Sequence, residues 1–288
     1  TNPALNNGSA NVDSDVFLFY NQIKSVPGFV IEPYYILYSN RYNSGDNNSQ
    51  GIGTPKHSNQ TRHMIGGRTE MRKGNFDAWN ETIYQFGEMG DDRGPEAGYG
   101  NQKYLHINAW ATRNWIGYTH YEWAWKPRLA FNFDYASGDG RANCTLPGGG
   151  ATGCSTANTF ENLWGTNHIH MGYMDTIGWR NMMKPSINLQ FRPTKDDHIE
   201  IWATSLNLAN TKDNWYRAAQ TVYVYSKTNN TTRHVGNELD IMWTRFFMEG
   251  KLSFQAGYGH LFAGNYIEEN LGTSTDQDWA YAQLWVNF

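Results

Sequence analysis

Along most of this chain apolar and polar residues alternate at every second position, and nothing long repeats with the 3.6-residue period of a helix. Strict alternation predicts β-strands with one apolar and one polar face, because successive side chains of a strand point to opposite sides. Eleven segments show the pattern, and they are residues 13–22, 28–39, 61–72, 77–88, 102–118, 127–136, 182–192, 198–209, 233–247, 251–262 and 277–288. The chain is therefore expected to be all-β.

The connections between these segments alternate between short and long over the whole chain. The short ones are KSVPG, RKGN, PTKDD and MEG, with HYEWAWK of medium length on the same side. The long ones are residues 40–60, 89–101, 137–181, 210–232 and 263–276. Successive connections of an up-and-down sheet lie at opposite ends, so one end is tight and the other elaborated. Transmembrane β-barrels of the outer membrane show this asymmetry, with short periplasmic turns and longer extracellular loops.

The composition fits a membrane barrel better than other classes. The chain holds 12 Trp, 18 Tyr and 14 Phe, which argues against disorder. No stretch approaches the roughly 20 consecutive apolar residues of a transmembrane helix. The mean hydropathy of −0.68 does not exclude a barrel, because barrel strands are apolar only at alternate positions. The net charge of −4, without basic clusters, argues against a nucleic-acid partner.

The last strand carries a second signal. In DWAYAQLWVNF one face is wholly apolar, and the strand ends on the aromatic Phe288. A terminal strand of this kind resembles the signal that the outer-membrane assembly machinery recognises. The alternative is an ordinary final strand of a soluble barrel.

In a closed barrel the apolar column faces lipid and the polar column lines a water-filled lumen. The lumen-lining candidates are Arg62, Arg68, Arg128, Asp134, Arg192, Glu200, Glu238 and Asp240. Because both signs occur, two interpretations stay open, namely cross-strand ion pairs that rigidify the pore and an arginine track for anions. Several aromatic residues near strand ends fit either interfacial girdles or internal packing, and they are Tyr34, Tyr38, Trp115, Trp202, Trp243 and Tyr258.

Other chemistry finds little support in the sequence. Cys144 and Cys154 are either a disulfide or two free thiols. His168, His170 and Asp175 are candidate metal ligands, but no third fixed ligand is evident, so no metal site is expected. The catalytic and cofactor motifs GxSxG, HExxH, the P-loop, the dinucleotide fingerprint and CxxCH do not occur. The protein is therefore expected to be neither an enzyme nor the holder of a cofactor.

Several segments between residues 120 and 288 resemble the alginate-export family of outer-membrane barrels. They are PRLAFNFDYASGDG, FENLWGTNHIHMGYMDTIGWRN, LNLANTKDNWYRAAQ and HVGNELDIMWTRFFMEGKLSFQAGYGHLFAGNYI, followed by the terminal strand. The resemblance implies passive export of an anionic polyuronate through one barrel of about eighteen strands. Because eleven strands are fewer and odd in number, residues 1–288 are expected to form one barrel domain that lacks N-terminal strands. A complete barrel of ten or twelve strands is the alternative.

The expected function is that of an outer-membrane porin or exporter for polar solutes or an anionic polysaccharide. Its partners would be the lipid bilayer, lipopolysaccharide and the assembly machinery, and residues 137–181 are expected to fold inward as a constriction. A sheath or scaffold for a separate protein partner, such as an electron-transfer conduit, and a soluble β-rich carbohydrate-binding protein are the alternatives.

Overall fold

The structure is a computed structural model that describes residues 14–40, 60–91, 103–140, 156–163, 168–219 and 221–287. The strands in this part of the chain are β1 Ser14–Tyr20, β2 Phe29–Asn40, β3 Gln60–Lys73, β4 Phe76–Asp91, β5 Lys103–Thr119, β6 Arg128–Ala136, β7 Thr156–Ala157, β8 Met182–Phe191, β9 Asp197–Leu208, β10 Trp215–Tyr216, β11 Val222–Val224, β12 His234–Phe247, β13 Leu252–Ala263 and β14 Gln277–Val286. The helices are α1 His168–Met171 and α2 Asn265–Leu271, and Met248–Gly250 form a 3₁₀ turn. None of the helices in these ranges is long and apolar enough to cross a membrane.

Eleven strands form one antiparallel up-and-down sheet in the order β1-β2-β3-β4-β5-β6-β8-β9-β12-β13-β14. The all-β prediction is therefore confirmed, and so are the eleven strands, with shifts of a few residues at their ends. β7 adds a short parallel pairing to β5, and β10 pairs with β11 in a separate small sheet. The main sheet is not closed, because β1 and β14 are its two edge strands. Whether further strands precede the chain stays a prediction.

The sheet has a tight end and a loop end. Short connections join neighbouring strands at the tight end, as at residues 74–75 between β3 and β4. The strand ends that the long connections join lie at the loop end. Between the described loop segments and the sheet lies a buried apolar core, to which Ile177, Leu206, Trp215 and Tyr266 belong. Apolar side chains therefore pack between the loops and the sheet at the loop end, whereas the tight end has no such core among the described residues.

One face of the sheet is apolar and exposed. Ile65, Ile116, Phe131, Ile187 and Ile241 belong to this apolar face, and each exposes more than two fifths of its surface. Most charged residues of the strands lie on the opposite, polar face. Contiguous apolar surface of this extent is unusual on a protein surrounded by water.

The aromatic residues do not all lie on one face. Tyr34, Tyr38, Trp115 and Trp202 lie on the polar face, so the girdle interpretation is wrong for them. Their side chains alternate in step with the charged residues of the polar face. The hydroxyl of Tyr34, for example, donates a hydrogen bond to Glu81 at 2.8 Å. Trp243 and Tyr258 have the opposite parity and lie on the apolar face, where a girdle position is compatible with their exposure.

Candidate functional site

Six charged residues of alternating sign cross the polar face in a single row, which we call the charge belt. Its members are Glu32, Arg68, Glu81, Arg113, Asp134 and Lys184, on β2, β3, β4, β5, β6 and β8 respectively. Each member lies directly opposite the next in the strand registers. Since directly opposed residues of antiparallel strands have neighbouring side chains, every charge has an opposite charge beside it. The formal charges of the belt sum to zero.

Contacts within the belt follow this register. Arg68 forms an ion pair with Glu32 and another with Glu70. Asp134 lies 3.6 Å from Nε of Arg113 and 3.1 Å from Nζ of Lys184. The guanidinium groups of Arg68 and Arg113 both lie over the Trp79 ring, at 5.5 and 5.4 Å from its centre. The mixed signs therefore produce cross-strand pairs here rather than an arginine track.

Nearer the loop end, part of the long connection after β6 packs onto the polar face. We call its described parts, residues 156–163 and 168–181, the inner segment. Glu161 of this segment accepts a hydrogen bond from the guanidinium of Arg62 at 2.7 Å, and both side chains are almost fully buried. Gln85 on β4 also accepts from Arg62, at 2.7 Å, and donates to the Glu161 carbonyl at the same distance. The inner segment is thus fixed to β3 by a buried ion pair and to β4 by hydrogen bonds with Gln85.

Further across the same polar face, the segment is also held by β12. The carboxylate of Glu238 accepts from the backbone N–H of Met174 at 3.3 Å and from the hydroxyl of Thr176 at 3.1 Å. Asp240 is buried two residues further along the strand. Gly172 has a left-handed φ of +114°, and a Cβ there would collide with Glu238. The segment therefore crosses the polar face, with anchors on β3, β4 and β12.

Two buried aspartates connect the loops outside the strands. Asp213 accepts from the backbone N–H groups of Asp139 and Asn214 and from the hydroxyls of Thr159 and Tyr216, at 2.6 to 2.8 Å. Burial raises the pKa of Asp213, and it raises the pKa of Asp139 to about 6 even though the Asn158 amides donate to that carboxyl. Protonation of these loop carboxyls is consequently linked to how the loops pack.

At the tight end, a cavity of about 480 Å³ opens on the polar face, and we call it the tight-end pocket. Its cationic lining residues are Arg72, Lys126, Arg128 and Arg192. Asp77 is the single carboxylate of the lining and is engaged by Arg128 through two hydrogen bonds of 3.0 and 2.6 Å. Within the described part of the chain no ion pair involves the other three cations. The pocket therefore carries an uncompensated positive charge.

The pairing of Arg128 with Asp77 depends on a glycine. Asp77 is on β4 and Arg128 on β6, so the side chain of Arg128 crosses β5 at Gly117. A Cβ at Gly117 would collide with the guanidinium of Arg128. The guanidinium also lies 4.9 Å from the centre of the Trp115 ring. The tight-end pocket is thus shaped by residues of three adjacent strands.

The structure separates the eight lumen-lining candidates into groups. Arg68 and Asp134 belong to the charge belt; Arg62, Glu238 and Asp240 lie under the inner segment; and Arg128 and Arg192 line the tight-end pocket. Glu200 lies on the polar face and accepts from the indole N–H of Trp202 at 2.7 Å. That these residues line a lumen stays a prediction. Cys144, Cys154 and Phe288 lie outside the described residues.

Sequence reasoning missed several charged partners. Glu32, Glu81, Arg113 and Lys184 follow the same alternation as the predicted candidates, so strand parity could have found them. Glu161 carries no such signal, because it lies in a long connection 99 residues from Arg62. In the described ranges no cluster of three or more His, Cys, Asp or Glu is arranged to hold a metal ion.

An up-and-down antiparallel sheet with an exposed apolar face and a charged opposite face has the architecture of an outer-membrane β-barrel protein. A comparison with curated proteins gives no significant match. The sequence model of the alginate export family matches residues 6–281. Because the match covers nearly the whole chain, the protein belongs to the alginate export family, an outer-membrane β-barrel family of polysaccharide export.

Proposed function

We propose that this protein forms a channel in the bacterial outer membrane through which an anionic polysaccharide moves passively along the polar face. The apolar face contacts the acyl chains and lipopolysaccharide, and the assembly machinery recognises the terminal strand. Movement through a channel requires no bond to be made or broken, so the proposal includes no catalysis. Family membership supports the polysaccharide, and the charge distribution supports its anionic character.

The observation that carries the proposal is the positive charge of the tight-end pocket. Short connections face the periplasm in barrels of this class, so the pocket lies where a polymer leaving the cell enters. Guanidinium and ammonium groups that have no ion-pair partner among the described residues can bind carboxylate or sulfate groups of a polymer. The charge belt lies further along the face and is neutral, so it does not retain an anion. Weak attraction at the entrance followed by a neutral wall favours passage over tight binding.

Charge-selective current tests this proposal. The triple variant Arg72→Gln, Lys126→Gln, Arg192→Gln removes the unpaired charges. Each charge contributes about 0.5 kcal/mol at roughly 8 Å in water, and about half of that at 0.1 M salt. Three charges then shift the energy of an anion by about 0.75 kcal/mol and that of a cation by as much in the opposite direction. The anion-to-cation permeability ratio should therefore change by roughly tenfold, which the reversal potential across a KCl gradient in a planar bilayer measures.

The matched control is Arg245→Gln. Arg245 lies near the same end but on the apolar face, where it pairs with Asp197 at 3.1 Å. The control should retain the selectivity of the unchanged protein. Oligouronates added at the tight end should interrupt the current in the unchanged protein more often than in the triple variant, whereas neutral oligosaccharides should not distinguish the two. A protein that passes no current, or a triple variant with unchanged selectivity, would contradict the proposal.

A further inference from the structure

The apolar face contains a block of polar residues on three of its strands, β3, β4 and β5, which we call the polar island. Its members are Gly67, Thr69, Asn80, Thr82, Thr112 and Asn114. In the registers Thr69, Asn80 and Asn114 form one row across the three strands, and Gly67, Thr82 and Thr112 form the next row. The island is therefore a compact block rather than scattered polar substitutions.

Apolar residues surround this block on every side. Toward the tight end the adjacent row is Met71, Ala78 and Ile116, and toward the loop end it is Ile65, Tyr84 and Trp110. Laterally, β2 contributes Ile31 and Pro33, and β6 contributes Phe133 and Tyr135. The island thus interrupts the middle of the band that the proposed function places against acyl chains.

The hydrogen bonds inside the island leave some of its donor and acceptor atoms without a partner among the described residues. The Asn80 amide donates to Oδ1 of Asn114 at 2.5 Å, and the hydroxyls of Thr82 and Thr112 are 2.8 Å apart. Asn114 in turn donates to Thr112 at 3.2 Å. No described residue donates to Oδ1 of Asn80. An acceptor left against hydrocarbon costs free energy, so burial of the island against a polar partner surface is favoured over lipid.

We propose that this polar island is a self-association surface, where two copies of the protein meet about a two-fold axis through β4. The island carries no charge, and every amide and hydroxyl in it both donates and accepts hydrogen bonds. A two-fold axis places the same patch on both sides of the contact, and such groups are complementary to themselves. Gly67 and Ala78 allow the two sheets to approach closely.

The surrounding surface is large enough for a dimer. Five strands at about 4.8 Å each and an apolar band about 25 Å tall give roughly 600 Å² for β2 to β6. Standard interfaces bury about 800 Å² from each partner, so the patch provides most of that area.

Cross-linking of the purified full chain in lipid vesicles tests the inference. In a background of Cys144→Ser and Cys154→Ser, Thr82→Cys places one thiol near the proposed axis. The control Ile187→Cys places a thiol on the apolar face of β8, where the side chain is also exposed. A short bismaleimide should link Thr82→Cys into dimers at least tenfold more efficiently than the control. Equal yields for the two variants would overturn the inference.

A second variant removes the polarity while keeping the shapes similar. Asn80→Leu, Asn114→Leu, Thr82→Val and Thr112→Val together should lower the dimer fraction, measured by energy transfer between labelled copies in vesicles, by at least tenfold. An undiminished dimer fraction would count against the island. The inference rests on the proposed membrane channel, so conductance is measured on the same samples. Channels that conduct without dimers refute only the inference, whereas absence of conductance in the unchanged protein refutes the proposed function.

Discussion

The buried ion pair between Arg62 and Glu161 leads to a quantitative prediction about how firmly the inner segment is held. Glu161→Gln removes one charge and keeps the shape of the side chain. Arg62 then stays buried, and its acceptors are the neutral amide oxygens of Gln60, Gln85 and the introduced glutamine rather than a carboxylate. Because a buried cation without its counter-ion is unfavourable, the segment should be released from β3 and β4 more often.

The size of the effect follows from the burial of the pair. Breaking a buried ion pair by removing one partner costs about 3–5 kcal/mol. The remaining amide contacts offset part of this cost, so we expect about 3 kcal/mol. At roughly 1.4 kcal/mol for each factor of ten, opening of the inner segment should become about 100-fold more frequent.

Hydrogen exchange measures this opening directly. The backbone N–H of Phe160 donates to the Ser137 carbonyl at 2.9 Å, and that of Glu161 donates to Oε1 of Gln85 at 3.1 Å. Both amides should lose about 100-fold of their protection in the variant. Glu70→Gln is the control, because Glu70 pairs with Arg68 on the same face but is partly exposed and does not contact the inner segment.

The double variant Arg62→Met with Glu161→Gln decides whether the ion pair is the cause. Removing Arg62 as well eliminates the stranded cation, so the double variant should recover part of the lost protection. If the two substitutions are instead additive, or if Glu161→Gln exchanges no faster than Glu70→Gln, the electrostatic explanation is refuted.

Two further predictions concern the loops and the tight-end pocket. The pKa of Asp139 is about 6 in the folded protein against an ordinary 3.8, so protonation of this carboxyl stabilises the packed loops. The protonated carboxyl adds up to about 3 kcal/mol to the free energy of unfolding. This stabilisation is complete below pH 3.8 and is lost as the pH rises through 6. Thermal unfolding at pH 4 and pH 7 should show the difference, and Asp139→Asn should lessen it; an unchanged pH dependence would contradict this assignment. Gly117→Ala should displace Arg128 and lower the free energy of unfolding by about 1–3 kcal/mol in denaturant titration. The cost should disappear in an Arg128→Ala background, and its persistence there would exclude the collision as its source.

The strands were predictable because alternation is a local property. In a sheet with one polar and one apolar face, the polarity of each strand's sequence must repeat every two residues. Segments such as 182–192 show that repeat without interruption. The structure places β8 at Met182–Phe191. In contrast, β7 and β10 contain two residues each, too few to show any period. Short pairings of this kind depend on contacts between distant segments.

The face on which each strand residue lies was predictable from the alternation, but its burial and its interaction partners were not. Parity places Arg62, Arg68 and Arg128 on one face, yet they lie in three different environments. The differences arise from the inner segment above Arg62, from neighbouring registers at Arg68, and from the tight-end turns near Arg128. Tyr34 stayed open between two environments, because an aromatic residue near a strand end suits a girdle as well as a packed interior, and only the face of the strand on which it lies distinguishes them.

The charge belt also constrains how such a sequence can change. Every internal member of the belt lies beside two residues of opposite charge. Replacing Arg113 alone by an acidic residue would therefore place three acidic side chains side by side, with Glu81 and Asp134 on either side. A tolerated inversion would need compensation on both adjacent strands. Homologous sequences should therefore exchange these positions in concert, with sign correlations that extend from β2 to β8 although the residues are far apart along the polypeptide.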